Sequence, residues 1–88
     1  MPLRIDISPH ARRALDKLPK GDFRTIDDAI MDLADQPRPH GIKKLGGSIH
    51  RIRVGRFRVI YLIGEREGFV SILDVARRSE KTYRAWPR

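Results

Sequence analysis

Apolar and charged side chains alternate from Leu3 to Ile7, with Leu3, Ile5 and Ile7 set against Arg4 and Asp6. That is the period of a half-buried strand. Ser8-Pro9 follows, a capping side chain with proline at the first helical position. Ala11, Ala14, Leu15 and Leu18 then recur at helical spacing, and Pro19 ends that helix. Gly21-Asp22 reads as a turn and cap for a second helix, whose apolar stripe is Phe23, Ile26, Ile30, Leu33 and Ala34. Asp27, Asp28, Asp32 and Asp35 fall mainly on its other side, as a solvated face would. Two antiparallel helices joined by a short turn are expected.

After Gln36 the period changes to two. Residues 49–54, 56–63 and 69–76 each read as a strand, separated by Gly55 and by the Gly64–Gly68 stretch, so a hairpin meander is expected. The middle strand is apolar at nearly every position beyond Arg58, as a central strand covered on both faces would be. From Arg77 onward a short C-terminal element carries Arg77, Arg78, Lys81, Tyr83, Arg84 and Trp86. The expected topology is β-α-α-β-β-β. It is an α+β fold with a helical hairpin packed on a mainly antiparallel four-stranded sheet. There is no repeat or linker, and residues 1–88 are read as one domain with a modest core.

Charge changes the picture. The net formal charge is +8 and is unevenly placed: residues 1–37 hold six Lys/Arg against seven Asp, and residues 38–88 thirteen against four Asp/Glu. Fourteen of the nineteen cations are arginine, a bias toward bidentate phosphate recognition. An acidic partner, nucleic acid first, is expected. Cysteine is absent, which removes disulfides, thiolate nucleophiles and cysteine-based zinc sites. His10, His40 and His50 are dispersed and form no metal-ligand pattern, so neither metal nor cofactor is expected. No apolar stretch has the length of a membrane span or a signal-peptide core, and a soluble, cytoplasmic protein is expected.

The candidate chemistry lies in two places. Arg51 and Arg53 share one face of a strand by period-two spacing, and Arg58 opens the next strand. Two guanidiniums on one sheet face are poor core material and good phosphate ligands. Lys43 and Lys44 occupy the preceding loop, suited to backbone phosphates or simply solvated. His50, on the face opposite Arg51 and Arg53, is expected to be partly buried and hydrogen-bonded, and Tyr61 to belong to the core. Arg58 has a structural alternative, an ion pair with Asp74. Trp86 suits either a core cap or a base stack.

The loop PRPHGIKKLGG and the following HRIRVGRFRVIYLI resemble the RelE/ParE toxin superfamily, with its tyrosine-arginine-isoleucine-arginine-valine-glycine strand pair. LDVARRSEKTYR resembles that family's arginine-rich last strand and C-terminal tyrosine. The resemblance spans essentially the whole chain. It implies a type II toxin that is silenced in a hetero-oligomer by a cognate antitoxin. RelE-like members are endoribonucleases that cleave messenger RNA, many in the ribosomal A site, whereas ParE-like members lack the nuclease residues and poison DNA gyrase. The resemblance matches Arg51, Arg53, Arg58, Arg78 and Tyr83; Arg58 and Arg78 are expected as the catalytic pair with Arg53 and Tyr83 beside them, and Arg51, with Lys43, Lys44 and Arg77 near it, is expected to bind RNA. Because these positions are filled, the RelE-like branch is expected, with messenger RNA, the ribosome and an antitoxin as partners. The alternatives are a gyrase inhibitor and an inactive RNA-binding module.

The physical chemistry agrees with the arginine set. Cleavage through a 2′-hydroxyl nucleophile passes a transition state with extra negative charge on phosphorus-bound oxygens, and guanidiniums aimed there stabilise it. Tyr83 would stack on a base or move a proton. Arginine does not serve as the base, and where some relatives offer a lysine this chain has Arg53. The face should therefore stabilise charge well and abstract protons poorly.

Overall fold

Ser8 ends one element and starts the next, and its hydroxyl serves both. The hydroxyl oxygen accepts from Ala11 N (3.1 Å), capping helix α1 (Pro9–Asp16), and its hydrogen is donated to Leu73 O (3.2 Å). The strand before it, β1 (Arg4–Ile7), thus enters the helix at a fixed angle. The computed structural model describes residues 2–78. Lys81, Tyr83, Arg84 and Trp86, and the C-terminal element they were expected to form, lie outside the described residues.

Helix α2 (Lys20–Asp32) begins one residue after Pro19, which occupies the cap position with extended backbone. Gly21 and Asp22 are therefore not the turn and cap expected of them. Both sit in the first helical turn, where Asp22 faces the positive end of the helix dipole. Pro19 is non-helical through its ψ of 151°, while its φ of −56° is the value its ring fixes, and no side chain caps the helix.

The remaining elements are β2 (Lys43–Gly46), β3 (Ile49–Val54), β4 (Phe57–Gly64) and β5 (Phe69–Arg77). They form one sheet of order β1-β5-β4-β3-β2, with β1 parallel to β5 and every other pair antiparallel. The α+β class and the mainly antiparallel sheet are as expected, but the sheet has five strands, not four. The extra one is β2, read from sequence as loop. Its residues Lys-Lys-Leu-Gly carry no alternating apolar signal, and its strand form comes from pairing with β3.

Cross-strand partners share a sheet face, so the register sorts the side chains. His50, Ile52 and Val54 pair with Tyr61, Val59 and Phe57, on the face that joins Ala11, Leu15, Ile26, Ile30 and Leu33 of the helical hairpin in one core cluster. Arg51 and Arg53 pair with Ile60 and Arg58 on the other face. Ile60 lies outside the helix-side cluster and is nevertheless buried, so β4 is covered on both sides as a central strand should be.

At Leu73 the β4–β5 register shifts by one residue. Beside this bulge the Asp74 carboxylate meets α1: Oδ1 accepts from His10 Nε2 (3.0 Å) and from Val75 N (2.8 Å). Asp74, the acid the sequence offered as a partner for Arg58, makes a histidine pair that ties α1 to β5.

Candidate nucleic-acid interface

The β3–β4 hairpin builds the site. Val54 and Phe57 close it, and Gly55 takes the positive φ of 60° that the tight turn demands. One register step inward, Arg53 lies directly opposite Arg58. Like charges at such a pair position are unfavourable unless an anion offsets them. At the far side of the same end, the backbone N of Arg78 donates to Arg56 O (2.8 Å), which locks the end of β5 against the turn. The Arg78 guanidinium reaches toward Gly55 O (3.5 Å).

The outcome is a cleft of about 400 Å3 bounded by Arg56, Arg58, Arg77 and Arg78. Arg53, Arg56, Arg77 and Arg78 are exposed, and among the described residues none of them pairs with a carboxylate. The Arg77 guanidinium lies 5.8 Å from the centre of the Phe57 ring, in cation–π range, which orients it without neutralising it. Arg58 is half-buried and engaged within the protein, whereas the concave group of Arg56, Arg77 and Arg78 has no described acid beside it. That group is matched to a ligand with several negatively charged oxygens.

The structure brings together most, not all, of the sequence-derived site. Arg58, Arg77 and Arg78 converge at the hairpin end, and Arg53 lies beside Arg58 on the neighbouring strand, where it also lines a groove against α2. Arg51 shares their sheet face but is buried at 7% exposure and is engaged within the protein, whereas Arg53, expected beside it as a phosphate ligand, is exposed. Lys43 and Lys44 are exposed on β2, opposite Arg51 and His50 respectively, so they sit at the sheet edge two strands from the cleft. Tyr83 lies outside the described residues. Arg56 was missed by sequence reasoning. Its signal was available, because an arginine in a two-residue turn between Arg53 and Arg58 has to stand at the tip between them.

His50 and Tyr61 behave as core, as expected. The Tyr61 hydroxyl donates to Pro37 O (2.8 Å), and burial pushes its phenol well above the ordinary range. His50 Nδ1 meets Ser48 O at 2.9 Å and the ring stacks on Tyr61 with centroids 6.0 Å apart. Burial lowers the His50 pKa, with the nearby cations Arg38 and Lys44 acting the same way and the Ser48 carbonyl opposing. Among the described residues no three His, Cys, Asp or Glu side chains gather as a metal site would require, and no helix is long and apolar enough to cross a membrane.

A hairpin of helices on this sheet order, with arginines gathered at one sheet end, defines a small α+β domain with a basic cleft. The family model for the ParE toxin of the type II toxin–antitoxin system parDE matches residues 5–82, and the chain belongs to that family within the RelE/ParE superfamily. Among its relatives is the RelE1 protein of Methanocaldococcus jannaschii, a toxin by name. It is 29% identical over 83 residues, which is 89% of this chain and 92% of that one. The archaeal RelE–RelB complex from Pyrococcus horikoshii matches with a TM-score of 0.82 at 29% identity, covering 91% of this chain and 99% of that one. The RelBE2 toxin–antitoxin complex of Mycobacterium tuberculosis matches with a TM-score of 0.77, also at 29% identity, over 89% of this chain and 100% of that one. The chain is a toxin of a type II toxin–antitoxin system.

Proposed function

We propose that this toxin is an endoribonuclease that cleaves messenger RNA in the ribosomal A site, in the cytoplasm, as a single domain over residues 1–88. The observation that carries the reading is the four-arginine cleft at the end of the β3–β4 hairpin, with Arg53 set opposite Arg58. In this mechanism the 2′-hydroxyl attacks the adjacent phosphorus and the 5′-oxygen leaves. Arg58 and Arg78 bind the non-bridging oxygens where charge develops, and preorganised donors of this kind lower the barrier without moving a proton. Arg53, Arg56 and Arg77 hold the flanking chain, with Arg51 behind them and Lys43 and Lys44 at the sheet edge. Tyr83 stacks on a base or moves a proton. The described lining offers no group that would deprotonate the nucleophile, so the reading assigns much of the positioning to the ribosome.

An antitoxin partner in a hetero-oligomer is supported by the relatives, two of which were solved as toxin–antitoxin complexes. An antitoxin would silence this chain by placing acidic or amphipathic structure over the arginine end.

A second reading, inhibition of DNA gyrase without nuclease activity, is favoured by the ParE description of the family model. Arg78→Ala, in an exposed side chain, separates the two. Induction of the wild type should arrest growth and create new transcript 5′ ends inside codons of translated messages. Arg78→Ala should reduce that cleavage by about a hundredfold to a thousandfold, the usual effect of removing one oxyanion-stabilising donor. Chromosome breaks without new 5′ ends, and full growth arrest by Arg78→Ala, would establish the gyrase reading instead.

A further inference from the structure

A second cleft, of about 500 Å3, opens where the end of α1 meets the end of β5. Its rim carries His10, Lys17 and Arg77, and its apolar wall is formed by Leu18, Phe57 and Val75. Arg77 also bounds the arginine cleft, so the two clefts lie on either side of one side chain. We propose that this second cleft is a nucleotide subsite, which lodges the nucleotide of a single-stranded RNA next to the phosphate held by the arginines. The subsite rests on reading the arginine cleft as an RNA site, and adds to it a place for a sugar and base.

The chemistry of the two clefts differs in the way those two parts of a nucleotide differ. Four guanidiniums suit a phosphate. The second cleft pairs cations with an aromatic and aliphatic wall, the combination that single-stranded nucleic-acid sites use for backbone and base together. Arg77 is already oriented over the Phe57 ring at 5.8 Å, and a guanidinium plane held from below offers its outer surface to a base. Lys17, exposed at the end of α1, supplies a phosphate contact that no residue of the arginine cleft duplicates.

His10 gives the subsite a polar contact of fixed orientation. Its Nε2 faces Asp74 Oδ1 at 3.0 Å, and because a carboxylate oxygen accepts only, Nε2 carries the hydrogen. The ring is thereby held, its side chain 63% exposed, with Nδ1 left to accept from a ribose hydroxyl. Asp74 is the acid of this cleft among the described residues. Being 3% exposed and bonded to His10 and Val75 N, it meets a ligand through the imidazole rather than directly.

The test measures binding of the full chain to a 2′-O-methylated single-stranded RNA of about ten nucleotides, which resists cleavage, by fluorescence anisotropy across a range of salt. Lys17→Ala should bind roughly three- to tenfold more weakly than wild type, and its salt slope should fall by about 0.7 for the lost phosphate contact. Lys17→Glu should bind more weakly still. Arg66→Ala, an exposed cation in the turn between β4 and β5, should bind as wild type. If Lys17→Ala and Lys17→Glu both bind as wild type while Arg78→Ala is weakened, the subsite is overturned and the RNA reading of the arginine cleft stands. If the wild type does not bind the RNA, both fall. If Lys17→Glu weakens antitoxin binding and leaves RNA binding intact, the cleft belongs to a protein partner and the subsite is likewise overturned.

Discussion

Tyr61 is the residue on which the loop before the sheet depends. Its ring is fully buried on the helix side of β4, and its hydroxyl, donated to Pro37 O at 2.8 Å, holds the start of the loop that leads to the basic sheet edge. Tyr61→Phe keeps the ring packing and leaves the Pro37 carbonyl without its donor. A loss of about 1–2 kcal/mol is expected, read as a lower urea midpoint at unchanged m-value. The same residue imposes a pH dependence of known sign. Burial raises the folded-state phenol above its ordinary value of 10.0, so the folded protein holds a proton that the unfolded chain releases. The stability from Tyr61 is therefore fully present below about pH 10 and is lost as pH rises above it. The alkaline fall in the urea midpoint should be shallower in Tyr61→Phe than in wild type.

At the scale of elements, the joints between strands and helices carry more information than the elements themselves. Ser8 caps α1 through Ala11 N and reaches across to the β5 bulge at Leu73 O. Ser8→Ala removes both contacts, and a thermal-melt loss equivalent to about 1–2 kcal/mol is expected, at the upper end of cap substitutions because of the second bond. That joint was legible in the sequence, since Ser-Pro before an apolar helical repeat has few other readings. The three meander strands were legible too, the middle one as a near-continuous apolar run and its neighbours by alternation, with glycine turns between them. The strand Lys43–Gly46 was not, because its form depends on a partner it meets only in the folded sheet. Nor was the start of α2, where a proline in an extended conformation took the place of a side-chain cap. For the site, spacing correctly put Arg51 and Arg53 on one face, but period says nothing about cover. The burial of Arg51 and the exposure of Arg53 follow from tertiary structure that a strand pattern does not encode. The convergence of Arg78 on the hairpin tip likewise needed the backbone bond from Arg78 N to Arg56 O, a contact across more than twenty residues of chain.

Across the whole molecule, the +8 charge and its concentration after residue 37 leave open whether this chain meets RNA through a diffuse field or through one place. A diffuse field draws polyanions by net charge, and any cation removed from the surface weakens it about equally. A site loses function only when its own residues change. Arg56→Glu and Arg66→Glu distinguish the cases, since each lowers the net charge by the same amount and each replaces an exposed side chain in a turn at one end of the sheet. Arg56 stands in the β3–β4 turn at the arginine cleft, and Arg66 in the β4–β5 turn at the other end of β4. Both variants should fold, with melting temperatures within a few degrees of wild type, because neither side chain is buried or ion-paired among the described residues. Arg56→Glu places a carboxylate among guanidiniums and should abolish growth arrest on induction, with RNA affinity at least tenfold lower. Arg66→Glu should arrest growth as wild type does and shift RNA affinity by less than about threefold. Equal losses from the two variants would mean that the charge acts as a field, and the cleft would then hold no special place in the function of this toxin.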